Sequence, residues 1–270
     1  MSKFAPVVPA PIAQWMQGDG VGEDLLGDYH LLLAHDVVAN ANLYKKVYSE
    51  VRKRWKDSFI ILDNSVVELG DAVGNGVLFE AAKIVLPDCI VVPDVMGDGI
   101  ASRYRAQHFC REYTRAVHED EVLNRLHIPL MGVIHGRDLD DCLGTAFEYW
   151  CTSPIDYVGI PRVLTKMLGS RMPVLQSVLR SSYFRGVHLL GFSDNLLDDV
   201  SCARMKGVGG IDSAVPIRAA LQGQRMTLDV NKDYGPRGDF WNSPVDLIKR
   251  RAVNVTDNII QIRNWIGGTE

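Results

Sequence analysis

Seven short apolar runs, each followed by a segment of helical periodicity, constrain this chain more than any other feature; they span residues 29–34, 59–62, 89–92, 129–134, 156–160, 186–192 and 207–211. None alternates polar with apolar residues, as expected of parallel strands covered on both faces. The segments between them, including 77–85, 100–117, 139–150, 172–183 and 195–205, repeat apolar residues at helical spacing. Strand–helix repetition of this kind predicts an α/β fold. The number of units and the length of 270 residues fit one domain, a (β/α)8 TIM-type barrel. An eighth strand is expected at 225–230. Residues 1–28 then read as an N-terminal extension, and 225–270 as a C-terminal loop, centred on 231–243, with a closing helix over 244–265. An open doubly wound sheet satisfies the same periodicity.

Composition narrows the partners. The formal net charge of −4 excludes a protein coated in positive charge. It leaves room for local basic patches at Arg52-Lys53-Arg54, along Arg103, Arg105, Arg111 and Arg115, or at Lys249-Arg250-Arg251; each also reads as a solvated helix face. The five cysteines are scattered without a Cys-x-x-Cys pair, so neither a zinc site nor a disulfide framework is signalled. No apolar run approaches the roughly 20 residues of a membrane helix, and residues 1–17 lack the pattern of a secretory leader. A cytoplasmic protein without a membrane partner is expected.

In a barrel the residues at the C-terminal ends of the strands share one site. Those positions hold Asp63, Asp94, His135, Gly159 to Arg162, Gly191 to Ser193 and Asp212. No strand end offers a lysine for a Schiff base, and there is no Gly-Lys-Ser/Thr phosphate loop. Asp212 comes after Gly209-Gly210-Ile211, a run that opens on two small residues, and precedes a helix-like run. There a carboxylate serves as nucleophile, as general base or only as a helix cap. Asp63 is followed by Asn64 and Ser65, either of which caps a helix as well. A metal site from Asp63, Asp94 and His135 lacks any fixed ligand spacing, and no metal is expected.

The order of these motifs resembles the tRNA-guanine transglycosylase superfamily, which exchanges guanine in a polynucleotide for a free 7-deazaguanine. Asp63-Asn64-Ser65-Val66-Val67-Glu68 stands where that family has Asp-Ser-Gly-Gly-aromatic-Gln, and Asp94 matches the aspartate after its next strand. Gly132-Val133-Ile134-His135-Gly136 is similar to its Gly-x-x-Gln-Gly stretch, and Gly159-Ile160-Pro161 to its Gly-Gly-Leu. His188-Leu189-Leu190-Gly191-Phe192 looks like its His-Tyr/Leu-Met-Gly run. Gly210-Ile211-Asp212-Ser213-Ala214-Val215-Pro216-Ile217-Arg218 resembles its Gly-hydrophobic-Asp-x-x-x-Pro-Thr-Arg signature, the most specific of the set. The likeness spans residues 29–224 by order and spacing.

The resemblance implies a barrel with Asp212 as nucleophile at the sugar C1′ and Asp63 as general acid/base. It implies that Asp94 reads the Watson–Crick edge of the base, with His135 among the substrate-binding residues and its part in reading the base left open. Backbone groups at Gly159, Ile160 and Pro161 would hold the base carbonyl. Leu190 and Val67 would stack over its faces, and Gly191 and Asn64 would belong to the same substrate site. The family's Cys-x-Cys-x-x-Cys plus His zinc subdomain is missing here, since no cysteine comes after Arg218. Loss of that tRNA-holding subdomain points to a compact phage-type member acting on DNA rather than tRNA. No cofactor is then expected beyond the free 7-deazaguanine co-substrate, and a homodimer is compatible with it. A zinc-free enzyme acting on tRNA, a non-catalytic nucleic-acid-binding partner subunit and an unrelated barrel enzyme acting on a small molecule are the competing expectations.

Overall fold

Eight parallel strands make one sheet in the order β1-β8-β7-β6-β5-β4-β3-β2, and helices cover its outside. The computed structural model describes residues 2–19, 27–228 and 243–267. Its elements begin β1 (Lys3–Pro6), α1 (Ala10–Asp19), β2 (Tyr29–Leu33), α2 (Ala34–Ala39), α3 (Ala41–Arg54), β3 (Phe59–Asp63), α4 (Val66–Leu69) and α5 (Asn75–Val85). They continue β4 (Cys89–Val91), α6 (Gly99–Glu119), α7 (Glu121–Leu126), β5 (Leu130–Val133), α8 (Leu139–Thr152), β6 (Tyr157–Pro161), α9 (Val163–Leu168) and α10 (Met172–Ser181). Last come β7 (Gly186–Leu190), α11 (Leu196–Ala203), β8 (Val208–Ser213), α12 (Val215–Leu221), α13 (Val245–Arg250) and α14 (Ala252–Gly267).

The strands close into a barrel through their register. Leu33 lies beside Asp63, Val133 beside Gly159, Gly159 beside His188, His188 beside Gly210, and Gly210 beside Lys3. One further bridge, Val7 to Leu31, joins the end of β1 back to β2. Traced round the sheet, these registers return displaced by about eight residues, the shear of an eight-stranded TIM-type barrel. The fold is therefore the (β/α)8 barrel, and the open-sheet alternative is set aside.

Alternation within each strand sorts the side chains. Along β3, Ile60 and Leu62 pack outward in the layer shared with the helices, while Ile61 packs inward with Leu31, Val91 and Met131. Asp63 has the inward parity of Ile61 and stands where the strand ends. Burying an apolar side chain of this kind contributes about 1.5–3 kcal/mol, so the two layers fix which face each strand presents. Several helices start on dedicated side chains. Asp98 accepts from the Ala101 amide at 2.9 Å, Asp138 from the Asp141 amide at 2.9 Å, and Asn195 from the Asp198 amide at 3.1 Å.

The structure corrects the expected ends of the chain. The eighth strand is not at 225–230: residues 225–228 form no strand, and 229–230 lie outside the described residues. Its place is taken by β1, within the segment read as an N-terminal extension, which pairs with β8 along Lys3–Pro6. A four-residue strand flanked by Pro6 and Pro9 carries too short an apolar signal to be separated from a loop. The loop expected at 231–243 falls almost wholly outside the described residues. The closing helix is two helices, α13 and α14, with Arg251 between them. Among the described residues no helix is long and apolar enough to cross a membrane.

Candidate active site

A cavity of about 660 Å³ opens at the C-terminal ends of the strands. That volume suits a ligand the size of a nucleobase with its sugar. Asp63, Asp94, His135 and Asp212 all line it, with Val67, Pro161, Leu190 and Gly191. Asn64, Gly159 and Ile160 do not. Asn64 is buried behind Asp94, and Ile160 packs outward in the layer under the helices.

Asp212 is not a helix cap. The residue before α12 is Ala214, which makes no side-chain cap bond, and the Val215 amide donates instead to Ser213 Oγ at 3.1 Å. Asp212 Oδ1 accepts from His188 Nε2 at 3.0 Å and from the Gly191 amide at 3.1 Å. No described residue donates to Oδ2. Gly191 is suited to this contact because its φ of 72° lies in the left-handed region, and a Cβ there would press on Arg162 Cδ at 3.2 Å. A fully buried ion pair secures the same loop. Arg171 binds Asp199 and donates to the carbonyl of Gly191 at 3.0 Å, while Asp199 accepts from the Ser193 amide at 2.6 Å.

Asp63 is held differently. Its Oδ2 accepts from the Ser65 amide at 2.8 Å across a tight turn in which Ser65 takes a φ of 66°. A non-glycine residue in that region is strained, as is common where a functional side chain is aimed. Burial, followed by the nearby carboxylate of Glu68, pushes the Asp63 carboxyl well above the usual carboxylate range; Asp94 and Asp212 push the same way. The site therefore pairs an aspartate tied down by two donors with a second that retains its proton to unusually high pH. Opposed environments of this kind mark an acid/base division of labour.

Asp94 sits deeper and is 2% exposed. Its Oδ1 accepts from Asn64 Nδ2 at 2.6 Å, and its Oδ2 meets His135 Nε2 at 2.6 Å. The Gly97 amide donates to His135 Nδ1 at 3.2 Å, which assigns the proton to Nε2 and makes His135 a donor to Asp94. Both ring nitrogens are thus engaged within the protein. Each carboxylate oxygen has a second lone pair to offer a base edge. Asp63, Asp94 and His135 do not gather as metal ligands; among the described residues no three such side chains do.

Gly159 serves the cavity indirectly. A Cβ there would lie 2.5 Å from Leu190 Cδ1, so its absence lets the Leu190 side chain lie across the strand toward the opening. The carbonyls of Gly159 and Ile160 are taken by the Ile134 amide at 2.9 Å and Arg171 Nη1 at 3.2 Å. Pro161 has no N–H to donate.

The sequence placed His188 and Glu68 within motifs without giving either a role, and nothing in it singled out Tyr29 for the site. His188 has inward parity with Leu190, two residues on, and that spacing was the available signal. Tyr29 and Glu68 are brought to the site only by the barrel's closure and by the turn after β3. Arg162, Lys166 and Arg218 also line the cavity. The chain matches no protein-family model and no curated protein.

Proposed function

We propose that this protein is a base-exchange transglycosylase, replacing guanine in a polynucleotide with a free 7-deazaguanine. The observation that carries the reading is the pairing at one cavity of Asp212, fixed through Oδ1, with Asp63, whose carboxyl keeps its proton. Breaking a glycosidic bond builds positive charge on the sugar. Asp212 Oδ2 attacks C1′ as the bond from C1′ to the base nitrogen breaks, giving an aspartyl-sugar ester. Asp63 delivers its proton to the departing nitrogen and later takes one from the incoming base at the same position. The base nitrogen then displaces Asp212, which leaves as a carboxylate.

Asp94 accepts from the N1–H and exocyclic amine of guanine, a pattern adenine does not present. Burial of Asp94 makes that discrimination strong, because an unmatched carboxylate there has no water to turn to. Leu190 and Val67 supply apolar cover for the base faces. The cavity lies at the mouth of a closed barrel, so the target nucleotide enters unstacked, from a flipped or single-stranded position. Arg162, Lys166 and Arg218 at the rim suit its flanking phosphates.

We further propose DNA as the polynucleotide. The test incubates the protein with labelled 7-deazaguanine and either guanine-containing DNA or tRNA, then separates the nucleosides by mass. Label in DNA is expected. Label in tRNA alone overturns the DNA assignment, and label in neither overturns base exchange. Asp212→Asn is expected to form no covalent adduct while keeping its thermal transition. A variant that exchanges at full rate removes Asp212 from the nucleophile's role.

A further inference from the structure

We propose that Tyr29 and His188 form a positioning relay that sets the orientation and leaving ability of Asp212. The inference rests on the base-exchange reading. Tyr29 OH lies 2.9 Å from His188 Nδ1, and His188 Nε2 lies 3.0 Å from Asp212 Oδ1. All three side chains are buried inside the barrel. Burial, and then the neighbouring Cys89 and Asp212, hold the Tyr29 hydroxyl above its ordinary pKa, so it keeps its proton. Asp212 Oδ1 already accepts from the Gly191 amide, so the relay assigns His188 Nε2 as its second donor. With that proton on Nε2, Nδ1 is the acceptor and the Tyr29 hydroxyl its donor.

The barrel makes room for this relay. A Cβ at Gly210 would lie 2.5 Å from Tyr29 Cε1, and one at Gly209 would lie 3.7 Å from the Tyr29 hydroxyl. Gly210, two residues before Asp212, thus admits the Tyr29 ring across the barrel from β2, while the contact at Gly209 would be an ordinary one. A histidine on the inward face of a barrel strand is costly unless both ring nitrogens are bonded. Here both are bonded, and one bond ends on the candidate nucleophile.

The consequence is directional. With Oδ1 held by His188 and the Gly191 amide, Oδ2 is the oxygen that bonds to C1′. In the ester the negative charge on Asp212 is gone, so both donors are worth less than to the free carboxylate. They therefore destabilise the adduct relative to the carboxylate and assist its departure when the incoming base attacks. Formation of the adduct weakens both bonds; release restores them.

The test uses the full chain with Tyr29→Phe, His188→Gln and His188→Leu variants, each first checked for an unchanged thermal transition. Histidine ¹⁵N resonances of the wild type are expected to show His188 protonated at Nε2 and bare at Nδ1; Tyr29→Phe is expected to show mixed tautomers. Adduct on a guanine-containing DNA strand is then trapped by denaturing quench, and its release by added base is timed. His188→Leu is expected to accumulate adduct and release it about 10–100-fold more slowly, with KM for the strand little changed. His188→Gln, which retains an N–H donor, is expected to recover most of that loss. Unchanged release in His188→Leu, equal losses in the Gln and Leu variants, or a protonated Nδ1 in the wild type overturns the relay. If the wild type forms no adduct on any polynucleotide, base exchange fails, while the tautomer measurement still decides the relay's geometry.

Discussion

At the scale of single residues, the two candidate catalytic aspartates, Asp63 and Asp212, differ by what surrounds them. Asp63 has one backbone donor and several acidic neighbours, and burial holds its carboxyl protonated above the ordinary range. The stability tied to that proton is full below the unfolded carboxylate pKa of about 4 and is lost as pH rises through the higher folded value. Asp63→Asn removes the loss. It is therefore expected to raise Tm near neutral pH by the equivalent of about 1 kcal/mol, the common scale for relieving a functional site. The gain is expected to shrink toward pH 4, which thermal melts across pH would record. The same variant is expected to abolish exchange, and the wild-type rate is expected to fall as pH rises through the Asp63 pKa. A gain in Tm that grows with acidity contradicts the assignment. Asp63 and Asp212 were legible because acids recur at three strand ends, although any one of them alone could have been a helix cap. His188 was not: a histidine inside a strand looks the same whether it faces the helices or the barrel interior.

At the scale of elements, β8 is the strand on which the site depends most. It brings Gly210 against Tyr29, Ile211 into the outer layer and Asp212 to the cavity, an alternation that period two imposes. Gly210→Ala would place a methyl 2.4 Å from the Lys3 carbonyl and 2.5 Å from the Tyr29 ring. Backbone on one side leaves no room to yield, so a loss of about 1–3 kcal/mol is expected, with a Tm lower by several degrees. Activity is expected to fall further than stability explains, because Tyr29 and β1 must both shift next to Asp212. A variant with wild-type Tm and turnover shows that the ring and strand relax without cost. The sequence made Gly209-Gly210 visible as a small-residue approach to the carboxylate. What Gly210 makes room for lies on β2, about 180 residues earlier in the chain.

At the scale of the molecule, closure rests on the first strand. β1 pairs with β8 along four residues, and the Val7 to Leu31 bridge completes the ring. Removing residues 1–9 is expected to leave the barrel open, with β8 and β2 as bare edges prone to association. Loss of a cooperative thermal transition, or self-association seen by size-exclusion chromatography, would record it. A truncated chain that melts as a monomer at the wild-type Tm shows that closure is dispensable. The sequence alone determined the repeating strand–helix order and the α/β class, because hydrophobic periodicity is a local property that each segment carries by itself; register and closure decided for the barrel over the open sheet. It also placed acids at three strand ends, since chain order fixes which residue comes next after a strand. Only the tertiary structure decided that β1 is the eighth strand and that His188 and Tyr29 stand behind Asp212. It also decided that Glu68 presses on Asp63. Those facts depend on register and closure, which arise from packing between segments far apart in the chain and leave no local periodicity to read.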